Sequence, residues 1–99
     1  MPAERIRPVP DVLTALRATI DFFTEPGSKI VLPTPAYMPF LTIPALHDRE
    51  IIEVPMPTED GRHVYDLDGI DRAFAAGGEL LILCNPYNPL GRVFTRAEL

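Results

Sequence analysis

The sequence predicts an α/β fold, with short, mainly parallel strands alternating with helices. Two segments carry apolar residues at helical spacing, and short apolar runs without polar alternation lie between and beyond them. Strands of that kind are buried on both faces, as in a parallel sheet covered by helices. Turn and capping residues separate the segments and set their order.

Asp11 follows Pro8-Val9-Pro10 and is placed to cap a helix. Leu13, Leu16, Ile20 and Phe23 then form one apolar stripe at helical spacing. Pro26-Gly27 ends that helix with a turn, because proline suits the second turn position and glycine the third. Ile30-Val31-Leu32 reads as a short buried strand, and Thr34 to Leu46 as a helix interrupted near Pro44. Ile51 to Val54 is the second strand. Asp66 caps a further helix with Leu67, Ile70 and Phe74 on one face and Asp68 and Asp71 near its positive end. Gly77-Gly78 stops it, and Glu79 to Cys84 is the third strand.

Ninety-nine residues allow one small domain, and no internal repeat or composition shift divides them. A hydrophobic content of 46% is ordinary for a globular chain. No apolar stretch reaches the length of a membrane span, and the first residues lack a signal-peptide layout, so a cytoplasmic location and no membrane partner are expected. The net charge of −5 is spread without long runs, which argues against nucleic-acid binding. The single cysteine, Cys84, excludes an internal disulfide and a cysteine-cluster metal site; it reads as a small buried strand residue. His47 and His63 have no ligand spacing and read as surface or structural residues, so no metal is expected.

The most informative segment is Cys84-Asn85-Pro86-Tyr87-Asn88-Pro89-Leu90-Gly91, which follows Leu80-Leu81-Ile82-Leu83 directly. Each proline fixes φ, removes a backbone donor and biases the asparagine before it toward extended geometry. Gly91 permits a turn that a side chain would hinder. A stiff loop results at the carboxyl end of a strand, where open α/β sheets place their ligands. A second segment, Pro33-Thr34-Pro35-Ala36-Tyr37-Met38-Pro39-Phe40, gains meaning beside it.

Together the two segments resemble the large domain of fold-type I pyridoxal-phosphate enzymes, the class I/II aminotransferase family. Thr-Pro-Ala-Tyr-x-x-Phe paired with Leu-Cys-Asn-Pro-x-Asn-Pro-x-Gly-Arg-Val-Phe and a following Glu-Leu is most similar to its cystathionine β-lyase-like branch of carbon–sulfur lyases. The resemblance runs from about Pro8 to Leu99 and covers a middle portion of the family's longer sequence. It implies a three-layer α/β/α architecture, with residues 1–99 forming part of the cofactor-binding large domain. It also implies pyridoxal 5'-phosphate as cofactor, an amino-acid substrate and a homodimer.

By the same resemblance, Asn88 donates to the cofactor's phenolic oxygen and Tyr37 stacks on its ring, which adds roughly 0.5–1.5 kcal/mol beyond burial. Asn85 shapes the loop. The phosphate would rest on backbone amides at a helix start, here Val12 and Leu13, with Thr14 able to offer a hydroxyl. A carboxylate beside a phosphate is repulsive, so either Asp11 faces away as a cap or the cradle is shifted. Leu90 stands where the family commonly has threonine, which loses a hydroxyl and keeps the backbone logic.

The family's Schiff-base lysine, the acidic partner of the pyridine nitrogen and the arginine that grips the substrate carboxylate all lie downstream of this segment. The only lysine, Lys29, lies between the Pro-Gly turn and the first strand and does not match. The isolated chain is therefore expected to hold no catalytic residue and to be inert, within a parent that eliminates a thiol from a cystathionine-like amino acid. An aminotransferase of the same fold and a non-catalytic α/β binding module are the alternatives. Thr95-Arg96-Ala97-Glu98 fits a capping box that announces a further helix, which fits a piece of a larger protein. Borohydride reduction with stoichiometric pyridoxal phosphate should leave Lys29 unlabelled in a peptide map; clean, saturable labelling there would overturn its exclusion.

Overall fold

Ile30, Val31, Leu32 and Pro33 are all buried, and they run down the middle strand of a parallel sheet. The computed structural model describes residues 2–99. In chain order the elements are α1 (Val12–Phe23), β1 (Lys29–Thr34), α2 (Met38–Leu46), β2 (Glu50–Pro55), β3 (Thr58–Glu59), β4 (Arg62–His63), α3 (Leu67–Ala75) and β5 (Gly78–Leu81). A single 3₁₀ turn at Ala3–Arg5 precedes them. The strand order is β2-β1-β5, with both pairings parallel, and β3-β4 forms a separate antiparallel hairpin.

Side chains alternate across β1 and build a different core on each face. Ile30 and Leu32 pack with Ile82, Leu16, Phe40, Leu41 and Ile51. Val31 faces the other way, against Val54, Ala73, Ile52, Ile70 and Leu81. Helices α1 and α2 therefore cover one face and α3 the other, which is the expected α/β/α layering. The chain leaves β1 for β2 on one side and returns to β5 on the other. The order reverses at β1, and open α/β sheets bind ligands beside such a reversal, at the strands' carboxyl ends.

Both expected aspartate caps form, and at the Thr95–Glu98 box the Glu98 carboxylate accepts from the Thr95 amide, in a turn rather than a helix. Asp11 Oδ1 accepts from the Thr14 amide at 2.8 Å, and Asp66 Oδ1 from the Gly69 amide at 2.8 Å. Several expected boundaries and faces differ. Helix α2 begins at Met38 rather than Thr34, because Thr34 precedes a proline and stays extended, paired with Pro55. It runs unbroken through Pro44, which sits in its last turn. Strand β2 extends one residue beyond each expected end. Strand β5 is shorter than Glu79–Cys84 and starts one residue earlier, although the Ile82 amide still donates to the Val31 carbonyl at 3.0 Å. Cys84 consequently lies beyond the strand and is half-buried.

The apolar stripe of α1 buries Ile20, while Phe23 remains 78% exposed. In the last turn of α1, Ile20 points into the core, while Phe22 and Phe23 point outward. On α3, Leu67 and Phe74 are exposed, and the buried face is Gly69, Ile70 and Ala73. Small residues let this helix approach the sheet closely. A Cβ at Gly69 would lie 2.3 Å from Asp66 Oδ2 and 2.9 Å from Val54 Cγ1.

Sequence reasoning missed two features. Asp60-Gly61 turns the β3-β4 hairpin, a signal the sequence carries openly. Arg49 is buried, with its guanidinium donating to the carbonyls of Ile20, Thr24 and His47 and to the Thr24 hydroxyl. It thus closes the carboxyl ends of α1 and α2 with one cation.

The Gly69→Ala substitution tests the close approach of α3. Alanine would gain up to about 1 kcal/mol of helix propensity. Displacing the Asp66 cap and crowding Val54 outweigh that gain, so a net loss of about 1–2 kcal/mol is expected in urea unfolding.

Candidate functional site

The loop after β5 is held from several directions. The Tyr87 amide donates to the Arg92 carbonyl at 2.6 Å, and the Gly91 amide donates to the Tyr87 carbonyl at 2.8 Å. Gly91 has φ 64°, a conformation that favours glycine. Asn85 Oδ1 accepts from the Phe94 amide at 2.9 Å, so Asn85 braces the loop as expected. Tyr87 is buried among Met56, Phe94 and Tyr65, and its hydroxyl donates to the Pro33 carbonyl at 2.8 Å. Asn88 comes next and is exposed, and its side chain makes no hydrogen bond among the described residues.

Tyr37 reaches the same edge of the sheet from β1. It is the extended residue that precedes α2, with φ −61° and ψ 126°. Its carbonyl accepts from the Phe40 amide at 2.8 Å, and the Phe40 ring meets it edge-on, centroids 5.5 Å apart. Tyr37 is 38% exposed, which leaves part of its ring open. The start of α1 arrives here too. Val12, Leu16, Phe40, Ile82 and Leu83 line one apolar cleft of about 260 Å³. Val12 is thus brought beside Phe40 and Leu83, with neither Tyr37 nor Asn88 lining the cleft, whereas Leu13 is half-buried outside it.

The α1 terminus is already occupied by a carboxylate. Asp11 takes the Thr14 amide through one oxygen and the Thr14 hydroxyl through the other, each at 2.8 Å. These two bonds, the amide first, hold the Asp11 carboxyl below its ordinary range, and the Leu13 amide and Arg17 add to them. The Thr14 amide and hydroxyl are thereby engaged by Asp11 and closed to another anion. The ring of Tyr37 and the amide of Asn88 suit a flat aromatic ligand with a phenolic oxygen, while Asp11 opposes a dianionic group at the helix start.

Lys29 sits at the opposite end of β1, where its Nζ donates to the Ala76 carbonyl at 3.4 Å. A strand advances about 3.3 Å per residue, so Lys29 and Thr34 lie roughly 16 Å apart. Cys84 Sγ donates to the Pro86 carbonyl at 3.3 Å. His47 pairs with Asp21 at 2.7 Å, and His63 faces the Met56 carbonyl at 3.3 Å. A larger concavity of about 440 Å³ opens beside Gly91, but neither Tyr37 nor Asn88 lines it. Its Arg92 is committed to Glu98, to the His63 carbonyl and to the face of Phe94. Among the described residues, no cluster of histidine, cysteine and carboxylates could hold a metal ion, and no helix is long and apolar enough to cross a membrane.

A three-stranded parallel sheet with helices on both faces, and two proline-rich segments at its carboxyl edge, makes this an α/β unit. Residues 12–99 match the family model described as aminotransferase class I and II, and the chain belongs to that family. It is 44% identical over 92 residues to the cystathionine beta-lyase of Corynebacterium glutamicum, covering 93% of this chain and 23% of that protein. A histidinol-phosphate aminotransferase of Symbiobacterium thermophilum is 34% identical over 83 residues, covering 84% of this chain and 22% of the relative. Among solved structures, cystalysin from Treponema denticola, which contains a pyridoxal 5'-phosphate cofactor, superposes with a TM-score of 0.82 at 30% identity. That match covers 89% of this chain and 23% of cystalysin. The chain thus spans about a quarter of the length of the curated relatives it matches.

The Asp11 cap has a definite pH signature. Its folded pKa lies below the unfolded value, so its contribution is fully present above the ordinary carboxylate range and is lost as pH falls through the folded value. An NMR titration of the Asp11 carboxyl should give a midpoint below 3.8, and Thr14→Ala should move it upward.

Proposed function

We propose that these residues form part of a pyridoxal-phosphate site, within one cofactor-binding domain of an enzyme of amino-acid metabolism. The reaction proposed for the whole protein is β-elimination at a carbon–sulfur bond. The observation that carries this reading is the convergence of the Pro33–Phe40 and Asn85–Gly91 segments at the carboxyl ends of adjacent parallel strands. The 44% identity to a cystathionine beta-lyase supports the choice of reaction.

When bound, the cofactor supplies an electron sink for charge developing at the substrate's α-carbon. Tyr37 offers its ring for stacking, with the Phe40 ring packed perpendicular to it. Asn88 offers an amide N–H to the phenolic oxygen and favours its ionised form. Val12 and Leu13 offer backbone amides to the phosphate, in competition with the Asp11 carboxylate. Lys29 lies at the wrong end of β1 to join the cofactor, so these residues by themselves supply binding groups and no covalent catalyst. The outer edges of β2 and β5 support self-association as a homodimer.

The histidinol-phosphate aminotransferase relative favours a second reading, amino-group transfer, since Tyr37 and Asn88 would serve either reaction. Product analysis of the whole protein with cystathionine separates the two. Equal amounts of thiol, ammonia and a 2-oxo acid are expected; transfer of the amino group to an added 2-oxo acid without thiol release would select the second reading. Asn88→Ala should raise the pH at which the bound cofactor's absorbance changes, because a donor to the ionised oxygen is lost. An unchanged midpoint would remove Asn88 from the site.

A further inference from the structure

Peptide groups along β1 point alternately to its two neighbours. The Thr34 carbonyl accepts from the Met56 amide at 2.8 Å, on the β2 side. The Val31 carbonyl accepts from Ile82 at 3.0 Å, on the β5 side, and Pro33 faces that same side. Strand β5 has already ended there, since its pairing with β1 stops at Val31 and Leu81. Pro33 has no N–H to satisfy, but its buried carbonyl needs a donor, and the Tyr87 hydroxyl supplies it at 2.8 Å.

We propose that Tyr87 is a positioning residue, whose hydroxyl on the Pro33 carbonyl sets the loop of Asn88 against the segment of Tyr37. The inference rests on the cofactor site proposed above. Tyr87 suits the role because both ends of the residue are fixed. Its backbone is tied to Arg92 and Gly91, and its ring packs edge-on against the stacked pair of Tyr65, at 6.2 Å, and Phe94, at 5.8 Å. Asn88 is the next residue, so its Cα lies one peptide step, about 3.8 Å, from an anchored point. Pro33 is four residues before Tyr37, and the intervening Thr34 is itself bonded to β2. A single buried bond thus connects the two halves of the site. Burial pushes the Tyr87 phenol well above its ordinary range, so the hydroxyl remains a donor at any working pH.

The test uses the whole protein and titration with pyridoxal 5'-phosphate, followed by absorbance. Tyr87→Phe keeps the ring and removes the donor. It should weaken cofactor binding roughly threefold to tenfold and shift the pH midpoint of the bound cofactor in the direction given by Asn88→Ala. In an Asn88→Ala background the same substitution should cost less than about twofold, because a residue that acts through Asn88 has nothing left to place. Tyr65→Phe is the packing control: it trims a hydroxyl from the same aromatic cluster and should leave affinity and midpoint within about twofold. Equal losses in both backgrounds, no loss from Tyr87→Phe, or an equal effect from Tyr65→Phe would each overturn the positioning role while leaving the cofactor site in place. Absence of saturable binding by the unmutated protein would instead remove the site, and the positioning role with it.

Discussion

The structure depends on burying β1 on both faces. Ile30, Val31 and Leu32 are at most 1% exposed, and each such side chain contributes about 1.5–3 kcal/mol relative to exposure. That burial requires helices on both sides of the sheet, which α1 and α2 meet on one face and α3 on the other. It also places the strand ends. The carboxyl end of β1 is continued by Thr34–Tyr37, and the chain after β5 is continued by the asparagine–proline loop. The proposed site exists where it does because these two strands are parallel neighbours.

Proline in a central strand is ordinarily disfavoured, since it cannot donate to the ladder. Pro33 escapes that cost by lying just past the last β5 partner, on the side where no strand acceptor waits for its missing N–H. Its carbonyl then becomes an anchor for Tyr87. At the opposite edge Arg49 does comparable structural work by gathering the last carbonyls of α1 and α2. A buried guanidinium with several acceptors is well satisfied, and it holds the two helices on the same face of β1.

Family membership and the geometry bear on different questions. The match over residues 12–99 establishes what kind of chain this is, and it spans about a quarter of the curated relatives' length. The geometry shows which groups share an edge. Tyr37 follows the carboxyl end of β1 and Tyr87 ties the loop of Asn88 to Pro33 there, whereas Lys29 is held at the other end of β1. The Asp11 cap is where the helix-start expectation meets resistance, because one terminus cannot serve a carboxylate and a phosphate equally.

Much of this was legible in the residues. Both side-chain caps, the short apolar strands and the stiff loop follow from local rules, because Asp11 and Asp66 act on amides three residues away and proline acts on its own neighbourhood. The resemblance of the two proline-rich segments also pointed to the family before any contact was known. What local rules could not determine was which faces would be covered. Phe23 and Phe74 satisfy helical periodicity yet stay exposed, while Gly69 and Ala73 are buried, because the distance from α3 to the sheet is decided by packing against Val54. Arg49 reads as a surface charge until two helix ends converge on it. No local rule assigns Tyr87 a role, since the donor-less end of β1 that it meets is 54 residues away in the chain. Only the tertiary structure, by ending the β1–β5 pairing at Val31, two residues before Pro33, made the Tyr87 hydroxyl the link between the two halves of the proposed site.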